Sequence, residues 1–516
     1  MTTDIAKYLL NNGPKLTSDI LRHLESSGLA PETARQRLRR RPSSVRTLSG
    51  LSFPKNARFY FHEAHFGTHR YWDGLYQALT EGSPTYGPAI AAMIAKGGII
   101  PKDFFPIISG APLKQKKKTG SDAVLARLKG IGFLDEVTMG ETPVVAFHHH
   151  SSFPVDFDGY AAQLTVQRVL LDAVADWARK LGMVSYNKVA IREGGEPLPQ
   201  FGTHAFDLVA PSYLTPMVRY AGGKPKPGFL VADVYLGELD KAAARAFVRK
   251  CESSHAMRRL PPFLPVIVAD GFHHDAFHDL RANGIIATKP STLFGRDVAR
   301  GLAGLLETLR HASAIAAKNP EVIGKLFDQL GHIEGAAGNL RGALFELIVG
   351  HIATLQGSGS IDIGKKLHLG PEERYEIDVF CVSAETVRLI ECKGYAPTHR
   401  VDAEEVEAWI RTKARRLQKH FRTQDSLQNR SFSVEFWTSG TFTNEARELA
   451  DAVSNETSRY NVNLMTGSDV RTLITKVNAK GLGKVFDEHY AKHPITKAER
   501  KYETVEEFGS VIEDAM

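Results

Sequence analysis

The sequence predicts a mixed α/β (α+β) protein of several domains, and three observations support this fold class. At 516 residues the chain is too long for one hydrophobic core, so we expect about three or four domains. Apolar segments with strand-like alternation recur between segments with helical periodicity, most regularly after residue 338. A hydrophobic content of 43% and a charged content of 24% are ordinary for a globular protein. Pattern and composition place the domains at 1–68, 69–140, 141–320 and 321–516.

The clearest order of elements lies in the C-terminal third of the chain. A helix predicted over Asn339–Gln356 is followed by three strands and then by alternating helices and strands. The predicted strands and helices are, in order, Lys365–Leu369, Arg374–Val382, Thr386–Lys393, a helix over 403–422, Ser433–Thr438, a helix over 444–454, Val462–Met465 and a helix from Asp469. This succession predicts a sheet whose first strands form hairpins and whose later strands are connected through helices.

Two carboxylates and a lysine lie on the second and third of these strands. Because side chains alternate along a strand, Glu391 and Lys393 share one face and Cys392 points to the other. Asp378 precedes Glu391 by 13 residues, which suits the neighbouring strand of a hairpin. Carboxylates are the ligands that Mg²⁺ prefers, and a lysine stabilises developing negative charge. The alternative is an ordinary charged surface hairpin, which the apolar residues around these positions disfavour.

These residues, in this order of elements, resemble the PD-(D/E)xK nuclease superfamily, which includes many restriction endonucleases and repair nucleases. The resemblance implies a restriction endonuclease-like core that binds Mg²⁺ (or Mn²⁺) through Asp378, Glu391 and the backbone carbonyl of Cys392. Lys393 matches the lysine of the motif, and Glu346 matches a glutamate that the family often carries on the preceding helix. The chain departs from the motif at Ile377, which stands in place of the proline.

The resemblance further implies a metal-dependent DNA endonuclease that acts in restriction, antiphage defence or DNA repair. One active core cuts one strand, so double-strand cleavage would need a homodimer or two successive nicks. Two other functions remain open from the sequence. One is a non-catalytic DNA-binding regulator or scaffold with relic nuclease folds, and the other is an RNase.

The middle of the chain carries a faint second copy of the same order. Asp172, Asp207 and Asp233 occur where the C-terminal unit has Glu346, Asp378 and Glu391, and Tyr235 replaces Lys393. A tyrosine cannot supply a fixed positive charge. We therefore expect a degenerate nuclease-like domain that is kept for packing or for gripping DNA.

The N-terminal segment predicts a winged helix-turn-helix. Three helices are expected over Asp4–Asn11, Lys15–Ser27 and Pro31–Arg41, followed by a hairpin near Val45–Leu51 and Ala57–His62. The third helix is dense in arginines, which suit phosphates and guanine edges in the major groove. These are Arg35, Arg37, Arg39, Arg40 and Arg41. The alternatives are a solvated basic helix face and an acidic protein partner.

Residues 69–140 predict a second winged-helix-like module. Helices are expected over Trp72–Thr80, Tyr86–Lys96 and Asp122–Ile131. The loop that carries Lys116, Lys117 and Lys118 could meet the phosphate backbone without reading sequence, or could be an ordinary surface loop.

Global features agree with a polyanion partner and with a cytoplasmic location. The formal net charge is +7, and DNA is the expected partner, with RNA as the alternative. The three cysteines fit reduced core residues, and no apolar stretch is long enough to span a membrane, so no membrane association is expected. The histidine run that begins at His148 and His149 is interpreted as surface or hydrogen-bonded residues, not as a metal site.

Overall fold

The computed structural model describes residues 4–51, 53–113, 119–139, 142–149, 151, 153–193, 197–221, 224–311, 321–330, 337–357, 359–369, 373–395, 398–457, 459–479 and 481–491. The fold is mixed α/β, as predicted. Two compact units can be distinguished, and each is described by itself. Unit one comprises residues 1–160 and 177–293, and unit two comprises residues 161–176 and 294–516.

Unit one contains seventeen strands among its described residues. They are β1 (Lys15–Leu16), β2 (Val45–Thr47), β3 (Phe59–His62), β4 (Ile99–Pro101), β5 (Leu134–Met139), β6 (Thr142–Phe147), β7 (Ala190–Ile191), β8 (Gln200–Phe201), β9 (His204–Ala205), β10 (Leu208–Ser212), β11 (Arg219–Ala221), β12 (Lys224–Lys226), β13 (Gly228–Val234), β14 (Glu238–Leu239), β15 (Phe263–Val268), β16 (Gly271–Phe272) and β17 (Ile286–Thr288).

The α-helices of unit one are mostly short. They are Ile5–Asn12, Thr17–Ser26, Pro31–Arg39, His69–Gly82, Tyr86–Ala95, Phe105–Ile108, Ser121–Gly130, Lys241–His255, His274–Ala282 and Pro290–Leu293. A longer helix, Tyr160–Lys180, begins in unit one, but its residues 161–176 group with unit two.

The N-terminal helices and hairpin form where the sequence predicts them. Asp4 caps the first helix by accepting hydrogen bonds from the backbone N–H groups of Ala6 and Lys7, and Pro31 opens the third helix. The three strands pair in the order β1-β3-β2. Each of the three helices and the strands β2 and β3 contribute buried apolar residues to one small core. These residues are Ile5, Leu9, Ile20, Leu24, Ala34, Leu38, Val45 and Tyr60.

The largest sheet that lies wholly in unit one has the order β17-β15-β13-β10-β7. The β7–β10 and β10–β13 pairs are antiparallel, whereas β13–β15 and β15–β17 are parallel. The helix Lys241–His255 connects β13 to β15, and the helix His274–Ala282 connects β15 to β17. A short parallel pair, β14 with β16, extends from the ends of β13 and β15.

Unit two contains strands β18 (Ser360–His368), β19 (Glu373–Val382), β20 (Thr386–Lys393), β21 (Arg400–Val401), β22 (Ser431–Thr438), β23 (Thr441–Phe442) and β24 (Asn461–Met465). Its α-helices are Arg296–Arg310, Glu321–Leu330, Ala337–Leu355, Ala403–Glu407, Ala414–Phe421, Asn444–Glu456, Gly467–Lys476 and Leu482–Phe486. Two π-helical segments, Ala408–Lys413 and Asp487–Ala491, complete the unit.

The unit-two strands pair in the order β18-β19-β20-β22-β24. The first two pairs are antiparallel and the last two are parallel, and β21 pairs in parallel with β23. These orders and directions are the same as those of the unit-one sheet. The register agrees as well, because Val379 pairs with Ile390 as Leu208 pairs with Ala232.

The sequence separation of Asp207 and Asp233 is longer than that of Asp378 and Glu391, and the connections between the paired strands explain the difference. Between β10 and β13 the chain makes a 3₁₀ turn and the hairpin β11–β12, whereas β19 and β20 are joined by a short turn. The longer separation of Asp207 and Asp233 is therefore an insertion between paired strands and leaves their register unchanged.

Candidate active site

Asp378, Glu391 and Lys393 converge at the ends of β19 and β20. The Asp378 carboxylate accepts a hydrogen bond from the Cys392 backbone N–H at 2.7 Å, which holds it beside the third strand. Lys393 Nζ lies 3.0 Å from Glu391 Oε1, so these two side chains share one face as their spacing predicts. The sulfhydryl of Cys392 is buried, which raises the pKa of this thiol well above its ordinary value.

Local backbone geometry leaves room for this cluster. Gly364 of β18 has φ 65° and stands opposite Asp378, between the paired residues Ile363–Val379 and Lys365–Ile377. Gly394, directly after Lys393, meets the helix Ala337–Leu355 so closely that a Cβ would lie 2.3 Å from the Arg341 carbonyl oxygen. Any side chain at position 394 would therefore push this helix away from the site.

That helix carries Glu346, the predicted fourth acid, and presents it to the same cluster. Burial raises the pKa of Glu346 well above its ordinary value, and the charges of Asp378 and Glu376 raise it further. Burial and the Glu391 charge raise the pKa of Asp378 to about 7. Glu346 and Asp378 are therefore protonated more readily than ordinary carboxyl groups, as expected where carboxyl groups outnumber the neighbouring cations.

Lys413 is a member of the site that the sequence does not predict. Its Nζ lies 2.8 Å from Glu391 Oε2, opposite the Lys393 contact. Burial opposes ionisation of Glu391, but Lys413 and Lys393 outweigh it and lower the pKa of this carboxyl. Sequence spacing groups Lys413 only with the other basic residues of its helix, and it does not say which of them faces the sheet.

A π-helical turn places Lys413. The segment Ala408–Lys413 is π-helical between two α-helical pieces, and we call the whole element from Ala403 to Phe421 the Lys413 helix. Two hydrogen bonds anchor this turn, from Trp409 Nε1 to the Glu435 carbonyl at 3.0 Å and from the Tyr460 hydroxyl to the Ile410 carbonyl at 3.0 Å.

The cluster is accessible from solvent. The side chains of Lys393, Lys413 and Glu391 are 34%, 22% and 12% exposed. Charged groups on a half-buried strand face with this access can meet a substrate, whereas a sealed cluster could not. We call Glu346, Asp378, Glu391, Lys393 and Lys413 the C-terminal cluster.

A second cluster occupies the equivalent place in unit one. Asp207 accepts a hydrogen bond from the Val234 backbone N–H at 2.9 Å, just as Asp378 accepts one from Cys392. Val234 follows Asp233 as Cys392 follows Glu391. Asp207 and Asp233 therefore occupy the positions of Asp378 and Glu391, and Tyr235 occupies the position of Lys393.

Three cations contact the two carboxylates of this second cluster. Lys250 Nζ lies 2.5 Å from Asp233 Oδ2, Arg192 forms an ion pair with Asp207, and Lys96 Nζ lies 3.8 Å from Asp207 Oδ2. All five side chains are at most 5% exposed. We call Lys96, Arg192, Asp207, Asp233 and Lys250 the middle cluster.

Lys250 and Lys413 lie at corresponding places on the helices that follow β13 and β20. Asp240 caps the helix Lys241–His255, and Asp402 caps the Lys413 helix through the same contact to the third helical residue. Lys250 lies ten residues after its cap and Lys413 eleven after its own. The extra residue matches the π turn of the Lys413 helix.

Asp172 is the predicted counterpart of Glu346. It lies on the helix Tyr160–Lys180, where Arg168 Nε is 3.4 Å from its carboxylate. By residue range Asp172 falls in unit two, whereas Asp207 and Asp233 fall in unit one.

The predicted DNA-binding arginines differ in exposure. Arg35, Arg37, Arg39 and Arg40 are exposed, and Arg35 pairs with Glu32 at 2.8 Å. Arg41 is half-buried, donates to the Val45 carbonyl at 3.2 Å and stacks over the Tyr60 ring. Arg41 therefore has a structural contact of its own. The predicted lysines Lys116, Lys117 and Lys118 lie outside the described residues.

A small group of possible ligands forms near the histidine run. One ligand atom each from Asp135, His148 and His149 lies within 4.8 Å of the others. The rings of the two neighbouring histidines stack, with their centroids 4.3 Å apart. His148 Nε2 also lies 3.8 Å from Asp135 Oδ2.

No protein-family model matches the chain, and no curated protein sequence is significantly similar to it. Among solved structures, the chain is similar to the restriction endonuclease FokI, with 10% identity over 89% of this chain and 82% of that one. The TM-score of 0.20 is too low for this likeness to indicate a function. Among the described residues, no helix is both long and apolar enough to cross a membrane.

Proposed function

We propose that the chain is a divalent-metal-dependent nuclease that hydrolyses phosphodiester bonds, with the C-terminal cluster as its active site. The observation that carries the proposal is the convergence of Asp378, Glu391 and Lys393 on one solvent-accessible strand face. Acidic oxygens beside a lysine are suited to phosphoryl chemistry, because the reaction develops negative charge on the phosphate and its leaving oxygen.

The residues present fit a Mg²⁺ or Mn²⁺ ion. Asp378 and Glu391 offer hard carboxylate oxygens, and the Cys392 carbonyl follows on the same strand. The raised pKa values of Asp378 and Glu346 indicate a site with more carboxylates than cations. When bound, the ion would lower the pKa of a coordinated water and neutralise charge on a phosphoryl oxygen.

The protein's own residues supply the rest of the mechanism. Lys393, which stays charged beside Glu391, orients the attacking water and stabilises charge on the phosphate. Lys413 holds the Glu391 carboxylate from its other oxygen and keeps it ionised. Glu346 has a raised pKa, so it can hold a proton near the attacking water or bind a second ion once ionised.

The proposed substrate is DNA, and RNA is the alternative. The supporting observation is the row of exposed arginines on the helix Pro31–Arg39, beside a three-stranded sheet in the order β1-β3-β2. A winged helix of this kind would place the arginines against the phosphates of a major groove. A homodimer or two successive nicks would then be needed to cut both strands, with restriction, antiphage defence or repair as possible roles.

We also propose that the two sheets descend from one duplicated restriction endonuclease-like core. The support is their common strand order, pairing directions, register and carboxylate-to-backbone hydrogen bond. The middle copy is degenerate because Tyr235 stands in place of the lysine and the acids are sealed from solvent.

Plasmid cleavage with Mg²⁺ or Mn²⁺ tests the proposed activity. The Lys393→Ala variant should lose about 10²–10³-fold in rate, because charge stabilisation in the transition state is lost. Tyr235→Phe, at the equivalent position of the middle copy, serves as the matched control and should cleave like the wild type. Equal nicking by the wild type and Lys393→Ala would refute the assignment, and labelled RNA compared with DNA identifies the substrate.

A further inference from the structure

The middle cluster contains a lysine that comes from outside its own sheet. The helix Tyr86–Ala95 packs against the helix Lys241–His255 and ends at Lys96, whose side chain enters the cluster. Lys96 Nζ donates to the Val234 carbonyl at 2.5 Å, lies 3.8 Å from Asp207 Oδ2 and stands 4.4 Å from the centre of the Tyr235 ring.

These contacts coincide with the proposed metal ligands of the C-terminal copy. There, Asp378, Glu391 and the carbonyl of Cys392 would hold the ion. The equivalents in the middle copy are Asp207, Asp233 and the carbonyl of Val234, as the common register and hydrogen bond require. Lys96 contacts two of these three groups, and Lys250 holds the third.

We propose that the ammonium group of Lys96 occupies the cation position of the middle copy, which becomes a divalent-metal site when this side chain is shortened. The inference rests on the proposed function only in taking the C-terminal ligand set as the reference. An ammonium group makes the same kind of contact to a carboxylate and a carbonyl as a hard cation does, but it carries one charge and is covalently attached.

Charge and burial support this assignment. Three cations already contact the two carboxylates of the middle cluster, so a divalent ion entering beside them would be repelled by the adjacent positive charges. Shortening Lys96 removes one cation and leaves a vacancy lined by hard oxygen donors. The ring of Tyr235 closes the cation position on the side where the C-terminal copy has Lys393.

Mn²⁺ binding to the full chain tests the inference. In an Asp378→Ala background, which disables the C-terminal cluster, the added change Lys96→Ala should create one Mn²⁺ site per chain. Mn²⁺ at roughly 100 times the dissociation constant should then raise Tm by about 5 °C. The control Lys96→Met fills the same space without charge and should bind no ion.

The outcomes separate the two proposals. A folded Lys96→Ala/Asp378→Ala protein that binds no Mn²⁺ would overturn the inference. If that variant does not fold, Mn²⁺ binding to the Asp378→Ala protein is measured instead. Mn²⁺ that binds to this protein and is lost when Asp233→Asn is added would also overturn the inference, because the middle cluster would then bind a metal ion with Lys96 in place. A wild-type chain that neither binds an ion nor cleaves would refute the proposed function, whereas a gained ion in the Lys96→Ala variant would still support the inference.

Discussion

The two clusters place a pair of acids on the same strands in the same register, yet they balance their charge in opposite ways. The middle cluster surrounds Asp207 and Asp233 with three cations and excludes solvent. The C-terminal cluster gathers three carboxyl groups around two lysines and stays accessible. One fold can therefore satisfy its buried acids internally or leave them short of cations. Only the second arrangement leaves carboxyl groups available for the metal ion that we propose.

The difference is visible in the pKa values of equivalent aspartates. Burial opposes the ionisation of both. At Asp207 the charges of Lys96 and Arg192 outweigh burial and lower the pKa. At Asp378 burial prevails, Glu391 adds to it, and the pKa rises to about 7. An aspartate with the same backbone hydrogen bond thus stabilises the folded protein in the middle cluster and destabilises it in the C-terminal cluster.

The sharpest test of this comparison is the change of each aspartate to asparagine. Asparagine keeps an oxygen that can accept the backbone N–H of Val234 or Cys392, so charge is the main change. Asp207→Asn should destabilise the protein by roughly 3–5 kcal/mol, because it breaks a buried ion pair. Asp378→Asn should raise Tm by a few degrees at pH 8 without metal.

Thermal unfolding of both variants in a chelating buffer measures this pair of effects. Added Mn²⁺ should reverse the order at position 378, stabilising the wild type but not Asp378→Asn. The comparison would fail if both substitutions changed Tm in the same direction.

Much of this arrangement could be predicted from the sequence. The strand pattern around Glu391 and Lys393 indicates which side chains share a face. From residue 337 to 476 the predicted strands and helices begin and end within two or three residues of the observed ones, except that β18 begins five residues earlier than predicted. The sequence also predicts the correspondence of Asp207 and Asp233 with the C-terminal acids, and the observed register agrees with it.

The cations could not be predicted, for physical reasons. Lys413 reaches Glu391 only because a π turn rotates its helix by one residue, and local periodicity does not reveal such a turn. Lys96 lies more than 100 residues before Asp207, within a different predicted domain. Its role depends on helix packing between distant segments, which a single sequence does not encode in any local pattern.

The second prediction concerns the two helix lysines. Lys413→Met should reduce cleavage by about 10²-fold and shift the acidic limb of the pH–rate profile upward, because Glu391 loses the charge that lowers its pKa. Lys413→Arg should restore part of the activity. These readouts identify Lys413 as a positioning residue, since a purely structural role would leave the pH profile unchanged.

Lys250→Met is the matched change in the middle cluster. It leaves Asp233 buried without its closest cation, so it should lower Tm without altering the cleavage rate per folded molecule. If Lys250→Met instead changed the pH–rate profile, the two lysines would not have the separate roles that the comparison assigns to them.

The last and smallest effect is a pH dependence confined to the C-terminal cluster. Asp378 has a pKa of about 7 in the folded protein against an ordinary value of 3.8, so it is protonated below neutrality and must release a proton to bind metal. Mn²⁺ affinity should therefore fall by up to about 10-fold for each pH unit below 7.

The same shift fixes the sign of the stability change. The contribution of Asp378 to metal-free stability is complete below pH 3.8 and is lost as the pH rises through about 7. Calorimetric titration with Mn²⁺ between pH 5.5 and 8.5 measures the affinity change, and unfolding without metal measures the stability change. Affinity that stayed constant across this range would mean that Asp378 is already ionised. The proposed contrast with Asp207, whose pKa is lowered by its own cations, would then be wrong.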